Sequence, residues 1–297
     1  MAHYVGIAWE WAGRQRVLVL SVSVIWLVTL ALVGHMRANS WRSPDVLMET
    51  LARHHPESYR SVVGYAFNSI PVETDLSVRF DAFKRAASLD KRVIVPLIEM
   101  AKIATALGNF IGSGERVFQS SNGKDTRYPI REMWLSMDGD HNAHLLAALD
   151  VEINQRLSTE PVRTDSVVVL VSLVDCALDG NRECAALRAN TKRWHDSALF
   201  NERLSGNHRA VLELSVAKIH ASSGDYDAAV RHAHRAGDSA VDILAYRIQE
   251  ATLYALLERW DDLVLLLDEI ENRFPARASA NPAYRNLKEQ LERARNR

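Results

Sequence analysis

Proline, glycine, cysteine and aromatic residues are all sparse in this chain, and each scarcity excludes something. With 8 prolines and 13 glycines in 297 residues, there are few obligatory breaks, which leaves room for long helices. Aromatics make up 7%, and clean alternation of apolar and polar residues is nearly absent, which disfavours a β-sandwich or barrel. The formal net charge is -1, so no overall field favours nucleic acid or an anionic surface. Bulk disorder is also excluded, because 47% of residues are hydrophobic and 25% charged, as in ordinary globular proteins. The two cysteines, Cys176 and Cys184, flank an Asp179-Gly180-Asn181 turn. That turn can bring them together as a disulfide in an oxidising compartment, or leave them as two small buried hydrophobes in a reducing one. Four zinc ligands are not available near them.

What the chain does have is one long apolar run. Val17 to Gly34 contains eighteen residues without a charge. As a helix at about 1.5 Å per residue it spans about 27 Å, close to the hydrocarbon thickness of a bilayer. Arg14 and Arg16 stop it on one side, and Arg37 and Arg42 on the other; Tyr4, Trp9, Trp11 and Trp41 stand where interfacial anchors would. A cleaved signal peptide is the rival reading, but Gly34-His35-Met36-Arg37 offers no small-residue cleavage pattern. The expectation is a single transmembrane helix over 17–34 after a tail over 1–16. Basic residues nearly balance across it, so orientation rests on the short tail, the long C-terminal part and the cysteine pair, which together favour an extracytoplasmic, periplasmic domain.

The rest reads as helices in pairs. AKIHASSGDYDAAVRHAHRA from Ala217 recurs 34 residues later as ATLYALLERWDDLVLLLDEI from Ala251. Ala217 and Ala251 are small at mid-helix, Gly224-Asp225 forms a turn, Tyr226 and Trp260 are large plugs, and Pro275 closes the second copy. The second copy has Glu258 for the turn glycine and Leu263 for Ala229. On these residues Leu212–Pro275 resembles two tandem tetratricopeptide repeats. The resemblance implies an all-α fold, with the membrane helix followed by a helical-repeat solenoid.

The remaining stretches are read as a degenerate helical repeat region over 43–109, an irregular loop over 110–137, helical hairpins carrying the cysteine pair over 138–205, the two repeats over 206–275 and a capping helix within 276–297. Upstream, Ser43 and Pro44 open one helix, Ala66 sits in the next, and Phe83 and Ala86 in a third. The stretch 167–171, Val-Val-Val-Leu-Val, would suit a buried strand as well as a helix. A broader arrangement, Arg37–Trp41 followed by His55-Pro56-Glu57-Ser58-Tyr59-Arg60, resembles the passage from last membrane span to repeat domain in bacterial polytopic envelope proteins of surface-glycan assembly or glycosyl transfer. It implies an accessory, extracytoplasmic role beside a polytopic membrane protein, without the membrane-embedded catalytic part.

In tetratricopeptide repeats the first helix of each unit lines a binding groove. The corresponding residues are Val211, Leu214, Lys218, Ala221 and Ser222, then Ala245, Ile248, Thr252, Ala255 and Leu256. With Lys218 alone to meet a carboxylate, such a groove suits an apolar protein partner or the chain's own middle region. Signals for chemistry are weak. Asp138, Asp140, His141 and His144 lack a third strong ligand at defined spacing and read as a helix start. His232 and His234, with Arg231 and Arg235, read as a solvated surface. Gly112-Ser113-Gly114 lacks the lysine of a phosphate loop, and Ser88-Leu89-Asp90-Lys91 lacks partner motifs. The expectation is a protein-interaction scaffold with no catalytic residue, cofactor or metal, and no nucleic-acid partner; an enzyme site within 110–144 is the alternative.

Overall fold

A computed structural model describes residues 16–70, 76–111, 133–136 and 139–296; the tail over 1–15 and most of the loop over 110–137 lie outside the described residues. Among the described residues there are fifteen α-helices and no strand. They fall into two compact units, residues 1–75 and 76–297.

The first unit holds α1 (Arg16–Ser40), α2 (Pro44–His54) and α3 (Tyr59–Asn68). Helix α1 is apolar on every side. Leu20, Val24, Ile25, Trp26, Leu27 and Leu32 are each at least half exposed, and the Thr29 hydroxyl donates back to the Ile25 carbonyl at 2.8 Å. Among the described residues, no helix is long and apolar enough to cross a membrane. The described side chains of α1 begin at Leu20, so Val17, Leu18 and Val19 of the apolar run fall outside that count. Ser58 caps α3 by accepting from the Ser61 N–H, and the Ser69 hydroxyl donates to the Asp45 carbonyl at 2.7 Å, which pairs the end of α3 with the start of α2. Val62 and Ala66 of α3 are buried, whereas α2 buries no residue fully.

The second unit runs α4 (Leu76–Leu89), α5 (Val95–Ile111), α6 (Gly139–Thr159), α7 (Thr164–Leu178), α8 (Arg182–Ala186), α9 (Arg188–Phe200), α10 (Gly206–Ser222), α11 (Tyr226–Ser239), α12 (Leu244–Leu256), α13 (Trp260–Arg273), α14 (Pro275–Ala280) and α15 (Pro282–Arg295). The boundary between the units falls at 75/76, inside the stretch read as one region over 43–109. Helix α4 spends its apolar face, Phe80, Phe83, Ala86 and Ala87, on α5, which binds it to the second unit. The valine-rich run is helical. Val167, Leu170, Leu173 and Val174 are buried at helical spacing along α7, and a strand would have turned half of them outward.

Four helical hairpins follow α4: α5 with α6, α7 with α9 through the short α8, α10 with α11, and α12 with α13. Each leans on the one before, α9 on α6, α10 on α7 and α9, and α12 on α11. Polar side chains tie the layers where helix ends leave carbonyls unpaired. Arg156 of α6, 5% exposed, donates to the carbonyls of Ala87, Asp90 and Val93 at 2.9–3.2 Å, which satisfies the end of α4. Asn201 donates to Leu157 and Glu160 carbonyls at the end of α6. Asp150 of α6 accepts from the Trp194 indole N–H at 2.8 Å and from Asn190, both on α9.

At the far end, α15 seals the last hairpin. Tyr284, Leu287 and Leu291 join Leu263, Leu267, Ile270 and Phe274 in one core, while Glu289, Gln290 and Arg293 face outward. The capping region over 276–297 is thus two helices rather than one. Pro275, expected only as a stop, also opens α14, a position where its missing N–H costs nothing.

Candidate interaction surface

Three of the hairpins turn through the same hydrogen-bonded loop. At Ser223-Gly224-Asp225 the Asp225 N–H donates to the His220 carbonyl at 3.0 Å and the Gly224 N–H to Ala221 at 3.1 Å. At Leu257-Glu258-Arg259 the matching bonds run to Tyr254 at 2.9 Å and Ala255 at 3.2 Å; at Asp179-Gly180-Asn181 they run to Cys176 at 3.2 Å and Ala177 at 3.4 Å. This bond pair needs its middle residue in the left-handed region. Gly180 and Gly224 have φ of 80° and 79°, and Glu258, the one non-glycine with positive φ among the described residues, has 55°. Asn181 and Asp225 also cap the following helix, accepting from Cys184 and Ala228 N–H groups. Arg259 provides no such cap and instead lies over the Tyr254 ring, 5.1 Å from its centroid. Cys176 and Cys184 are joined as a disulfide across the first of these turns.

The expected groove residues divide. Lys218, Ala245, Thr252 and Leu256 are exposed, Leu256 at 73%, and Val211 and Ala221 are half-buried. Ile248 is not on the surface. It is buried in the core with Ala251 and Leu267, because α12 turns that face toward α13. Leu214 likewise packs on Ala210, Ala236 and Ala240 beneath the third hairpin. Ala255 is buried as well. Lys218, the one cation expected to await a ligand, pairs with Asp175 of α7 at 2.7 Å, and Ser222 accepts from Arg188 of α9. Tyr226 is a second correction: it is half exposed at the first position of α11, and does not plug the interior, whereas Trp260 packs partly against the last core.

Beneath this face lie buried charges, and the histidine run divides: His232 turns inward, whereas His234, Arg231 and Arg235 are exposed as expected. His232 Nδ1 meets Glu213 of α10 at 2.5 Å, and His234 Nδ1 meets Glu250 of α12 at 2.8 Å, so the two imidazoles of α11 reach opposite neighbours. Glu213 and Glu250 are 5% and 1% exposed, so each carboxylate needs these partners. The His220 ring stacks on His232 at 5.3 Å and shares a hydrogen bond with Asp225. The Asp225 carboxyl is held below the usual range, first by the Ala228 N–H and then by His220. Arg247 joins Glu250, Asp238 and Glu269 at 2.8, 2.7 and 3.5 Å. Burial alone would lower its guanidinium, but Glu250, Glu269 and Asp238 outweigh it and hold the group above the ordinary arginine value. A Cβ on Gly237 would stand 2.7 Å from that guanidinium, so only glycine lets it pass along α11.

Near the start of α6 the structure places His141, Asn142 and His144 of the expected acidic and histidine cluster. His141 Nε2 bonds the Trp134 carbonyl at 2.9 Å with its ring 3.9 Å from the Trp134 ring, Asn142 pairs with the backbone of Ser136 on both sides, and His144 is exposed. Asp138 and Gly112-Ser113-Gly114 lie outside the described residues, as does most of 110–144 proposed as an alternative enzyme site. Ser88 donates to the Arg85 carbonyl, and Lys91 is exposed. Among the described residues, no three His, Cys, Asp or Glu side chains converge to hold a metal. The buried charges missed in the sequence, Glu213, Arg247 and Glu250, had one signal in their spacing: Glu213 stands three and four residues before Val216 and Ala217, Arg247 four before Ala251, and Glu250 three after Arg247. Comparison with known proteins finds no matching family model, no matching curated protein and no matching solved structure.

Proposed function

We propose that the chain is a membrane-tethered helical-repeat scaffold that binds another protein and performs no reaction of its own. The observation that carries this reading is α1, whose apolar side chains from Leu20 to Met36 face outward on all sides, with Trp41, 73% exposed, just beyond its end. Exposed apolar surface on that scale is costly in water and favourable in lipid. The 34-residue register and shared turns of the last two hairpins support a tetratricopeptide-like array. The disulfide supports an oxidising, extracytoplasmic location for it. With Lys218 already matched by Asp175, the exposed stripe of Ala245, Thr252 and Leu256 suits an apolar partner segment better than a free carboxylate.

The test is alkaline extraction of membranes from cells carrying the full chain, with alkaline phosphatase fused after Arg297. Retention in the pellet with active phosphatase is expected, and Leu27→Arg together with Leu30→Arg should release the protein. Extraction of the unaltered chain into the alkaline supernatant refutes the tether; retention without phosphatase activity refutes the extracytoplasmic placement.

A further inference from the structure

The third hairpin meets the second through a face that contains an unusual contact. His195 of α9 is fully buried, its Nδ1 2.8 Å from the Thr191 carbonyl and its Nε2 3.0 Å from the Ser215 hydroxyl of α10. A carbonyl only accepts, so Nδ1 carries the hydrogen, and Nε2 accepts from Ser215 in the neutral ring. The other bonds across this face are polar as well: Thr164 to His208 at 3.2 Å, Lys218 to Asp175, Arg188 to Ser222, and Arg209 to the carbonyls of Leu199 and Asn201. Nearby ionisable groups are committed elsewhere. Asp150 of α6 serves Arg193, Asn190 and Trp194, Glu213 of α10 serves His232, and Asp175 of α7 serves Lys218. Asp196 pairs with Lys192 at 3.6 Å. Among the described residues no carboxylate bonds His195, so a proton added to this fully buried ring would arrive as a charge without a bonded counter-ion.

We propose that the face between the second and third hairpins is an acid-sensitive joint with His195 as its trigger. Adding a proton there turns Nε2 from acceptor to donor, so the Ser215 hydroxyl must rotate to accept, and it places a cation in the buried contact between α9 and α10; the joint therefore opens before the rest of the array. The fourth hairpin stays attached to the third, because Arg247 of α12 keeps its charge and pairs with Asp238 of α11 at 2.7 Å.

Burial, offset weakly by the Thr191 carbonyl and by Asp196, lowers the proton affinity of His195 to a pKa of about 4, against 6.5 for the free group. Protons therefore bind the opened form more readily. The joint is whole above about pH 6.5 and weakens progressively as the pH falls toward about 4.

The test is amide hydrogen exchange of the full chain in detergent, at pH 7.5 and pH 5, each corrected for the intrinsic pH dependence of exchange. Peptides from α9 and the facing side of α10 should open on the order of tenfold more often at pH 5, while those from α12 and α13 change little. In His195→Gln, which keeps a donor and an acceptor but takes up no proton, the difference between the two pH values should vanish. Should that variant fail to fold, His195→Asn serves instead: it also takes up no proton, and the difference between the two pH values should again vanish. Equal exchange of α9 and α10 at both pH values, or an undiminished acid response in His195→Gln or His195→Asn, would overturn the proposal.

Discussion

The third and fourth hairpins stand 34 residues apart in register and solve the same packing problem with different residues. The first-helix position buried with a charge is Glu213 of α10 in one and Arg247 of α12 in the other, so the sign is reversed. The turn residue is Gly224 in one and Glu258 in the other, yet both have positive φ and the same two backbone bonds close each loop. The residue after it is a capping Asp225 in one and a non-capping Arg259 in the other. Across the turn, His220 bonds Asp225 where Tyr254 receives Arg259 over its ring. The lesson is that backbone hydrogen bonding holds the register, and that side chains may be exchanged wherever a cross-link of some kind survives. The first turn of the series carries this to its limit with a covalent link, Cys176 to Cys184.

The comparison is most severely broken at Glu250. Replacing it with alanine leaves Arg247 buried beside the weaker contacts to Asp238 and Glu269, and should cost about 3 kcal/mol, as loss of one partner in a buried ion pair does. Denaturant titration of the full chain in detergent, followed by circular dichroism, would read it; a loss below about 1 kcal/mol would show that Asp238 and Glu269 suffice. Next comes the covalent turn. Cys176→Ser with Cys184→Ser opens a loop of separation 8 and should cost about 2–3 kcal/mol, measured against the oxidised parent in the same titration.

Smaller effects test the turns themselves. Gly224→Ala forces a side chain into the left-handed region and should lose about 1–2 kcal/mol, although a Cβ there meets no neighbour within 4 Å. The reciprocal change, Glu258→Gly, should gain about 0.5–1 kcal/mol, since it relieves the same strain in the fourth hairpin. If both substitutions moved stability in the same direction, the equivalence of the two turns would fail.

Much of the helical content was legible because apolar residues recur at helical spacing, and the 34-residue self-match exposed the last two hairpins directly. The turn at Gly180 belongs to the same series but escaped the match. It lies 44 residues before Gly224, with α8 placed between turn and second helix, so no fixed offset aligns it. The surface was less legible than the fold. Ile248 and Leu214 share a helix with exposed residues, and only the packing angle of α12 and α10 decides which face each one joins. Tyr226 aligned with Trp260, and each opens its helix, yet Trp260 packs on the last core while Tyr226 stays half in solvent; the 34-residue match carries no signal of that difference. Spacing alone could not mark Glu213 and Glu250 as core, because their partners, His232 and His234, lie on another helix and read as a basic surface run.

The outward side of α15 has a consequence for how such an array can lengthen. With Arg285, Glu289, Gln290, Glu292 and Arg293 turned away from Leu287 and Leu291, a duplicated hairpin placed beyond α15 would find no apolar surface to dock on. A hairpin spliced between α13 and α14 would instead inherit the contacts that Tyr284 and Leu287 now make, with the same terminal seal closing the longer array.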